Sequence, residues 1–430
     1  MAISVVATGD SFITQRLPHN DETCLALKGF FEQADIRFTN FEMLLHDFEV
    51  APSAVSGGTW ASARPVVLED LKWLGFNLYA WANNHTFDWG QEGLLTTLSH
   101  LDHAGCVHAG VGRNLAEAAQ PKYLDTPEGR VALISVTSSA QDWHRAGVQR
   151  PDVPGRPGVN LLRFQAVHYV TQADLDKLKE IVNKTEVNAR REQREREGFV
   201  KAEKNGFMVG TVRFAVGEPG TVTSVHPQDA ARIIQSIKEA SQQADVVLVS
   251  HHVHEMKGSA KNQPADFARE FAHLCIDSGA HAYLGHGPHI LRGIEVYKSR
   301  PVCYSLGNFI FQNNSVERQP ADFYEIYGLG PDSTPSEGFA ARSANGTRGL
   351  GIDPKVFESV IVRFDMEGGK VQNLELLPVS LGFALPPSRK GRPYFSTPED
   401  AKRILTELAE LSEPFQTKIR IEGNRGIVML

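Results

Sequence analysis

The stretch that decides the fold is Ala280-His281-Ala282-Tyr283-Leu284-Gly285-His286-Gly287-Pro288-His289, followed closely by Tyr304-Ser305-Leu306-Gly307-Asn308-Phe309. Ala280, Ala282, Tyr283 and Leu284 form an apolar run that predicts a short buried strand, and Gly285 is expected to let the backbone turn as it leaves the sheet. Pro288 stiffens the loop that follows, so that both imidazoles are held in place before any metal arrives. Neutral imidazole is the commonest protein ligand for metals, and it suits zinc, manganese and iron-type ions. Taken alone, the stretch fits two polar loop histidines as well as it fits a ligand pair. What separates the two readings is how often the same pattern recurs.

It recurs four times. Ile3 to Ala7 is a short apolar strand ending at Thr8-Gly9-Asp10. A second strand, Ile36 to Thr39, ends at Asn40-Phe41-Glu42. A third, Phe76 to Trp81, ends at Asn83-Asn84-His85, with Asp88 and Gly90 opening an amphipathic helix behind it. A fourth, Asp245 to Ser250, ends at His251-His252-Val253-His254-Glu255. Helical patterns separate these strands, including one opened by Pro65 and closed by Gly75. Strand–helix alternation with polar strand tips predicts an α/β enzyme core.

Composition narrows the function classes. The 430 residues are 41% hydrophobic and 22% charged with a net charge of −7, ordinary values for a globular protein with a proper core. Such a charge gives no reason to expect nucleic acid or an anionic membrane as partner. Four scattered cysteines, Cys24, Cys106, Cys275 and Cys303, read as buried small hydrophobes and not as disulfides or zinc ligands. The first ten residues lack a basic segment and run straight into a strand pattern, and no stretch is apolar enough to span a bilayer. The expectation is a cytoplasmic chain.

Residues 1–139 and 226–311 make up the expected core, in two segments. Between them, 140–225 reads as an insertion of loop plus charged helix, largely helical. Its first part is rich in Gly, Pro and Arg, and Thr171-Gln172-Ala173-Asp174 caps a helix with Leu175, Leu178, Ile181 and Val182 on one stripe. Arg190, Arg191, Arg194 and Arg196 lie in a mixed-sign run that reads as a solvated helix face. The stripe needs a partner surface, either the core rim or a second subunit, so a homo-oligomer is one possible outcome. Residues 312–430 form a C-terminal extension with a β-hairpin about Glu367-Gly368-Gly369, which completes the core, and a closing helix over 398–411.

Asp10, Glu42, Asn84, His85, His252, His286 and His289 thus collect at strand tips. Asp, Glu, Asn and His together suit manganese, iron or zinc, and no thiolate is present to favour a structural zinc. Asp10 could instead cap a helix, Glu42 could be a surface charge, and His252 could be a core histidine; five tips in one α/β core argue for a joint site.

Thr8-Gly9-Asp10, Asn40-Phe41-Glu42, Ala82-Asn83-Asn84-His85-Thr86-Phe87-Asp88-Trp89-Gly90, Gly285 to His289 and Tyr304 to Phe309 resemble the poly-γ-glutamate capsule-synthesis (CapA-like) family. That family is similar to the calcineurin-like metallophosphatases. The resemblance covers roughly residues 1–136 and 240–311 and implies a four-layer α/β/β/α sandwich with a dinuclear metal centre of two divalent ions. It implies that Asp10 and His289 hold one ion, that Asn84, His252 and His286 hold the other, and that Glu42 bridges them. His85 then stays off the metals as acid or base, with Asp88 orienting it. His254, Glu255 and Asn308 fall to substrate contact or to support of the ligands. His251 alternates with His252 along its strand, so the two should not both reach one metal, and the resemblance places His252 at the ligand position.

The sequence departs from the metallophosphatase pattern. Ser11-Phe12 follows Asp10 where Asp-x-His is typical, Glu42 stands for an Asp, and the last two histidines are three apart rather than two. These departures and the capsule association shift the expected reaction to hydrolysis of an amide in a small acidic or short γ-glutamyl-type substrate by a bridging hydroxide. A phosphoesterase is the first alternative. A non-catalytic accessory or binding protein of poly-γ-glutamate capsule synthesis is the second.

Overall fold

A computed structural model describes residues 2–204 and 206–430. Its centre is the strand Ala2–Phe12, flanked by the parallel strand Ile36–Phe41 and the antiparallel strand Glu358–Glu367. Leu78–Ala80 and Val107–Ala109 extend this sheet on one side, and Lys370–Ser380, Arg425–Val428 and Ile419–Glu422 extend it on the other. Asn308–Phe311 pairs beside the tip of Ala2–Phe12. A second sheet runs Leu291–Tyr297, Arg300–Leu306, Ala282–His286, Val246–His252, Gly129–Thr137, Lys122–Thr126.

Alternation explains why the two sheets stack. Ile3, Val5, Ala7, Ile36 and Phe38 share one cluster with Val246, Leu248, Ala282 and Leu284 of the other sheet. The intervening Val6 faces outward onto Leu27, Leu71 and Leu94 of three helices, Glu22–Phe31, Val67–Leu74 and Gly90–His103. Val247 and Val249 face outward on the second sheet against Ile233 and Phe271, from Pro227–Ser241 and Asp266–Asp277. Burial on both faces of each central strand gives the four layers, helix, sheet, sheet, helix.

The same alternation aims the tips. Asn40 continues the phase of Ile36 and Phe38, His252 that of Val246 and Leu248, and His286 that of Ala282 and Leu284, so all three face the gap between sheets. Asp10 falls out of phase with Val5 and Ala7, but the pairing with Ile36–Phe41 shifts between Ala7 and Asp10. This bulge returns Asp10 to the inner side.

Gly285 does not make the turn expected of it. It lies inside Ala282–His286, and a Cβ there would come 2.4 Å from the Tyr304 carbonyl oxygen. The residue is small because a neighbouring backbone passes close. The turn is made by Gly287, with φ of 111°, and His289 follows with φ of 59°.

The stretch 140–225 is α+β and not largely helical. It carries a four-stranded sheet, ordered Phe207–Val209, Val212–Val216, Phe164–Val170, Gly220–Val225, beside the helices Gln172–Thr185 and Ala189–Arg196. The strand segments alternate weakly, with polar Gln165 and His168 among apolar neighbours, which hid them in the sequence. Leu175 and Val182 of the capped helix are buried but Ile181 is exposed, and Ala189–Arg196 buries nothing. Ahead of the small sheet, Val159, Leu161 and Leu162 are buried in the core; Val159 pairs with Val111 and Leu161 bridges to Thr137. Glu358–Glu367 and Lys370–Ser380 form the hairpin about Gly368-Gly369, and the closing helix is Pro398–Ser412.

Candidate metal centre

At the carboxyl ends of these strands the polar tips converge on one buried spot. Asp10 Oδ1 lies 3.5 Å from His286 Nδ1 and 4.0 Å from His252 Nδ1, and Asp10 Oδ2 lies 3.9 Å from His289 Nδ1. Glu42 Oε1 lies 3.6 Å from His252 Nε2 and 3.8 Å from His85 Nε2. Glu42, His254 and His289 each bring one ligand atom within 4.8 Å of the others. Asn84 stands at the rim, its Nδ2 donating to the Gly57 carbonyl at 3.1 Å.

The hydrogen bonds behind these groups fix which atoms they present. Asn308 Oδ1 and His289 Nδ1 are 2.9 Å apart, so with Nδ1–H donating, Nε2 is the His289 nitrogen left to act as a ligand. Asn308 itself is anchored by donating to the Val356 carbonyl at 2.8 Å. His85 Nδ1 lies 2.6 Å from Asp88 Oδ2, and Asp88 accepts from the backbone amides of Gly57 and Ala61, each at 2.8 Å. His85 therefore shows only Nε2 to the centre. Glu255 accepts from the Ser138 and Ser139 hydroxyls at 2.9 and 2.8 Å. His251 points the other way, to the Tyr283 hydroxyl at 2.6 Å and the Phe271 ring.

The unpaired atoms test whether a cation belongs here. Both Glu42 carboxylate oxygens, both His286 nitrogens, Asn84 Oδ1 and Asn40 Oδ1 are buried without a hydrogen-bond partner. Buried polar atoms are nearly always paired, and Glu42 and His286, which hold four of the six, lie 3.6 Å from His252 and 3.5 Å from Asp10 respectively, where a cation would partner them. Burial pushes the Asp10 carboxyl up to about 7, against the lowering pull of Asn40 and the Gly287 amide. Burial and then the charges of Asp10 and Asp88 push Glu42 well above the usual carboxylate range. Burial holds His286 and His289 down at about 3, and drives His252 and His254 well below their ordinary value. Neutral imidazoles beside carboxylates that strain against their own charge are what divalent cations stabilise. The residues fit the ions.

Three participants are not among the residues assigned from sequence as metal ligands. His254 Nε2 sits 3.1 Å from His252 Nε2, which brings a residue expected at substrate into the ligand cluster. Asn40 Nδ2 donates to Asp10 Oδ1 at 2.7 Å and lies 3.1 Å from His252 Nδ1, tying two sheets together. Its place at the end of the strand Ile36–Phe41, two residues before Glu42, was the available signal. Arg292, fully buried, donates to the carbonyls of Val253, His254 and Lys261 and so holds the His252–His254 segment. Nothing in its sequence context marks that role. A cleft of about 390 Å³, walled by Asn84, Ser138, Ser139, His144, His254 and Glu255 among others, opens onto the centre.

Residues 4–313 match the model of the bacterial capsule synthesis protein PGA_cap. The chain belongs to this family. Two uncharacterized proteins of Sinorhizobium fredii, y4sH and y4uA, are each 36% identical over 440 residues, covering 99% of this chain and 93% of their own length. The PGA biosynthesis protein CapA of Bacillus subtilis is 27% identical over 241 residues, 56% of this chain and 44% of that protein. A probable polyglutamine synthesis accessory protein of Mycobacterium tuberculosis is 28% identical over 232 residues, 54% of this chain and 44% of its own length. The chain thus spans less than half of these capsule-type relatives. Among the described residues no helix is long and apolar enough to cross a membrane.

Proposed function

We propose that this protein is a metal-dependent hydrolase that cleaves an amide bond in a small acidic, glutamate-like substrate. The observation that carries the reading is the set of six orphaned, buried polar atoms on Glu42, His286, Asn84 and Asn40, beside a histidine oriented by a carboxylate. Asp10, Glu42, Asn84, His252, His254, His286 and His289 would hold two divalent ions of the manganese, zinc or iron kind. Such ions, when bound, lower the pKa of water toward neutrality and polarise the bond to be broken.

The chain's own part is positioning and proton transfer. Asp88 fixes the His85 ring through Nδ1, so Nε2 is the nitrogen aimed to give a proton to a departing amine. Asn84, His254 and Glu255 all line the cleft, so a substrate bound there would lie beside the centre. An amide suits this arrangement because its nitrogen leaves poorly without a proton. The relatives' association with capsule and PGA biosynthesis supports an acidic, glutamate-type substrate. A pure binding protein would have no use for a His85–Asp88 pair aimed at the centre.

The test is metal analysis coupled to a substrate screen. Protein reconstituted with manganese or zinc should carry close to two equivalents per chain and hydrolyse N-acyl glutamate or γ-glutamyl amides faster than phosphoesters. Well-folded protein that takes up no metal would remove the proposal, and faster phosphoester cleavage would replace the amide.

A further inference from the structure

On the far side of Phe311 from the centre lies a second, larger cleft of about 670 Å³, a size that suits a small ligand. Its wall combines three cations, Arg342, Arg348 and Lys390, with the rings of Phe311, Phe339 and Phe357, and no carboxylate lines it among the described residues. None of the three cations forms an ion pair with a described residue. Arg342 donates to the Thr59 hydroxyl, and Arg348 donates through Nε to the Arg342 carbonyl at 3.1 Å. Lys390 donates to the Gly351 carbonyl at 3.0 Å and stands 4.5 Å above the Phe357 ring and 4.7 Å from that of Phe383.

Arg342 and Lys390 are each partly desolvated, and burial lowers the pKa of both. The rings and hydrogen-bond acceptors hold these cations in place but supply no counter-charge, so an arriving anion would pair with cations already partly stripped of water. The cleft also abuts the centre. The Phe311 ring packs 5.3 Å from that of His289 and 6.1 Å from Phe12, which in turn contacts His85 at 5.5 Å. Arg342 lies close enough for its charge to act on His289, and its Nη2 comes to 3.5 Å, an ordinary contact distance, from where a Cβ on Gly58 would stand, next to the glycine that holds Asn84.

We infer that this cleft binds a carboxylate carried on an apolar body, through Arg342, Arg348 and Lys390. The guanidinium groups offer a paired fork to the two carboxylate oxygens, and the Phe rings cover the body. Its assignment as the seat of the substrate's distal acid rests on the hydrolase reading above. The binding itself does not.

The experiment compares 4-phenylbutyrate with 4-phenylbutyramide, two probes that share a body and differ in charge, by calorimetric titration of the full-length protein with and without a chelator. The acid should bind at least about tenfold more tightly than the amide, and the preference should survive chelation because it does not pass through a metal. Lys390→Gln and Arg342→Gln should each shrink it several-fold. Arg348 is exposed, so Arg348→Gln keeps the test available if either of the others fails to fold. Equal affinity for acid and amide would overturn the inference, as would a preference that vanishes with the metal or that no variant changes. Competitive inhibition of turnover by the acid supports the assignment to substrate, and tight binding without inhibition overturns it. Binding of the acid by a protein that cleaves no amide would sink the proposed reaction and leave the cleft standing.

Discussion

His85 Nδ1 lies 2.6 Å from Asp88 Oδ2, three residues along the chain, and this contact leaves a single ring nitrogen facing Glu42. The arrangement suits the proton donor proposed for His85, held in one orientation. His85→Ala should cost about 10²–10⁴-fold on an amide or alkyl ester, the usual range for general acid catalysis. On a p-nitrophenyl ester, whose leaving group needs no proton, the loss should be far smaller. Metal content should not change. Equal losses on both substrates, or the loss of an ion, would give His85 a different role.

Much of this centre was legible in the sequence because each tip ends an apolar strand. The strand tips alone pointed to Asp10, Glu42, Asn84-His85, His252 and the His286/His289 pair, while the family resemblance chose among adjacent residues; the structure brings Asp10, Glu42, His252, His286 and His289 together, with Asn84 at the rim. What was not legible depends on contacts between distant segments. The bulge between Ala7 and Asp10 reverses the facing of Asp10, and no local residue pattern announces it. His254 lies past the end of its strand, where alternation no longer predicts direction. The sheet within 140–225 escaped because its strands are only half-buried, so apolar and polar residues do not separate cleanly by face. Gly285 and Gly287 looked interchangeable as turn residues; only the passage of Tyr304 beside Gly285 tells them apart.

That passage yields a second prediction. Gly285→Ala would place a methyl 2.4 Å from a backbone oxygen of the adjacent strand, which cannot swing aside as a side chain could. Overpacking in a sheet core costs about 1–3 kcal/mol, and this contact lies at the upper end. Thermal or urea unfolding should show that loss, with weaker metal binding because His286 moves with the strand. A variant as stable as wild type would mean that the two strands separate freely.

His46 supplies a pH prediction away from the centre. Its ring is buried against Trp89, 4.6 Å between centroids, and burial holds its pKa at about 4, below the ordinary 6.5. Above about pH 6.5 the ring is neutral in folded and unfolded chains alike, and stability is unaffected. As pH falls below 6.5 the unfolded chain takes up a proton that the folded chain refuses, so stability declines until about pH 4. The full loss is about 3 kcal/mol. His46→Gln keeps an acceptor for the Phe48 amide and should flatten the fall in urea midpoint between pH 6.5 and 4. An unchanged slope would place the pH sensitivity elsewhere.

The last prediction concerns His286, whose two nitrogens are buried without partners 5.6 Å from the Phe38 ring. Each unsatisfied buried polar group costs about 1–3 kcal/mol, a cost the fold would not carry for packing alone. His286→Leu has nearly the right shape and no polar atoms. In the presence of a chelator the variant should therefore be more stable than wild type by about that amount. Added manganese or zinc stabilises whichever form binds it, so wild type should gain several degrees of melting temperature and the variant much less. The order of the two proteins should then reverse between chelator and metal. A packing histidine would give the opposite pattern, with the variant less stable under both conditions and equally responsive to metal. A melting curve of each protein, recorded with and without metal, separates the two roles.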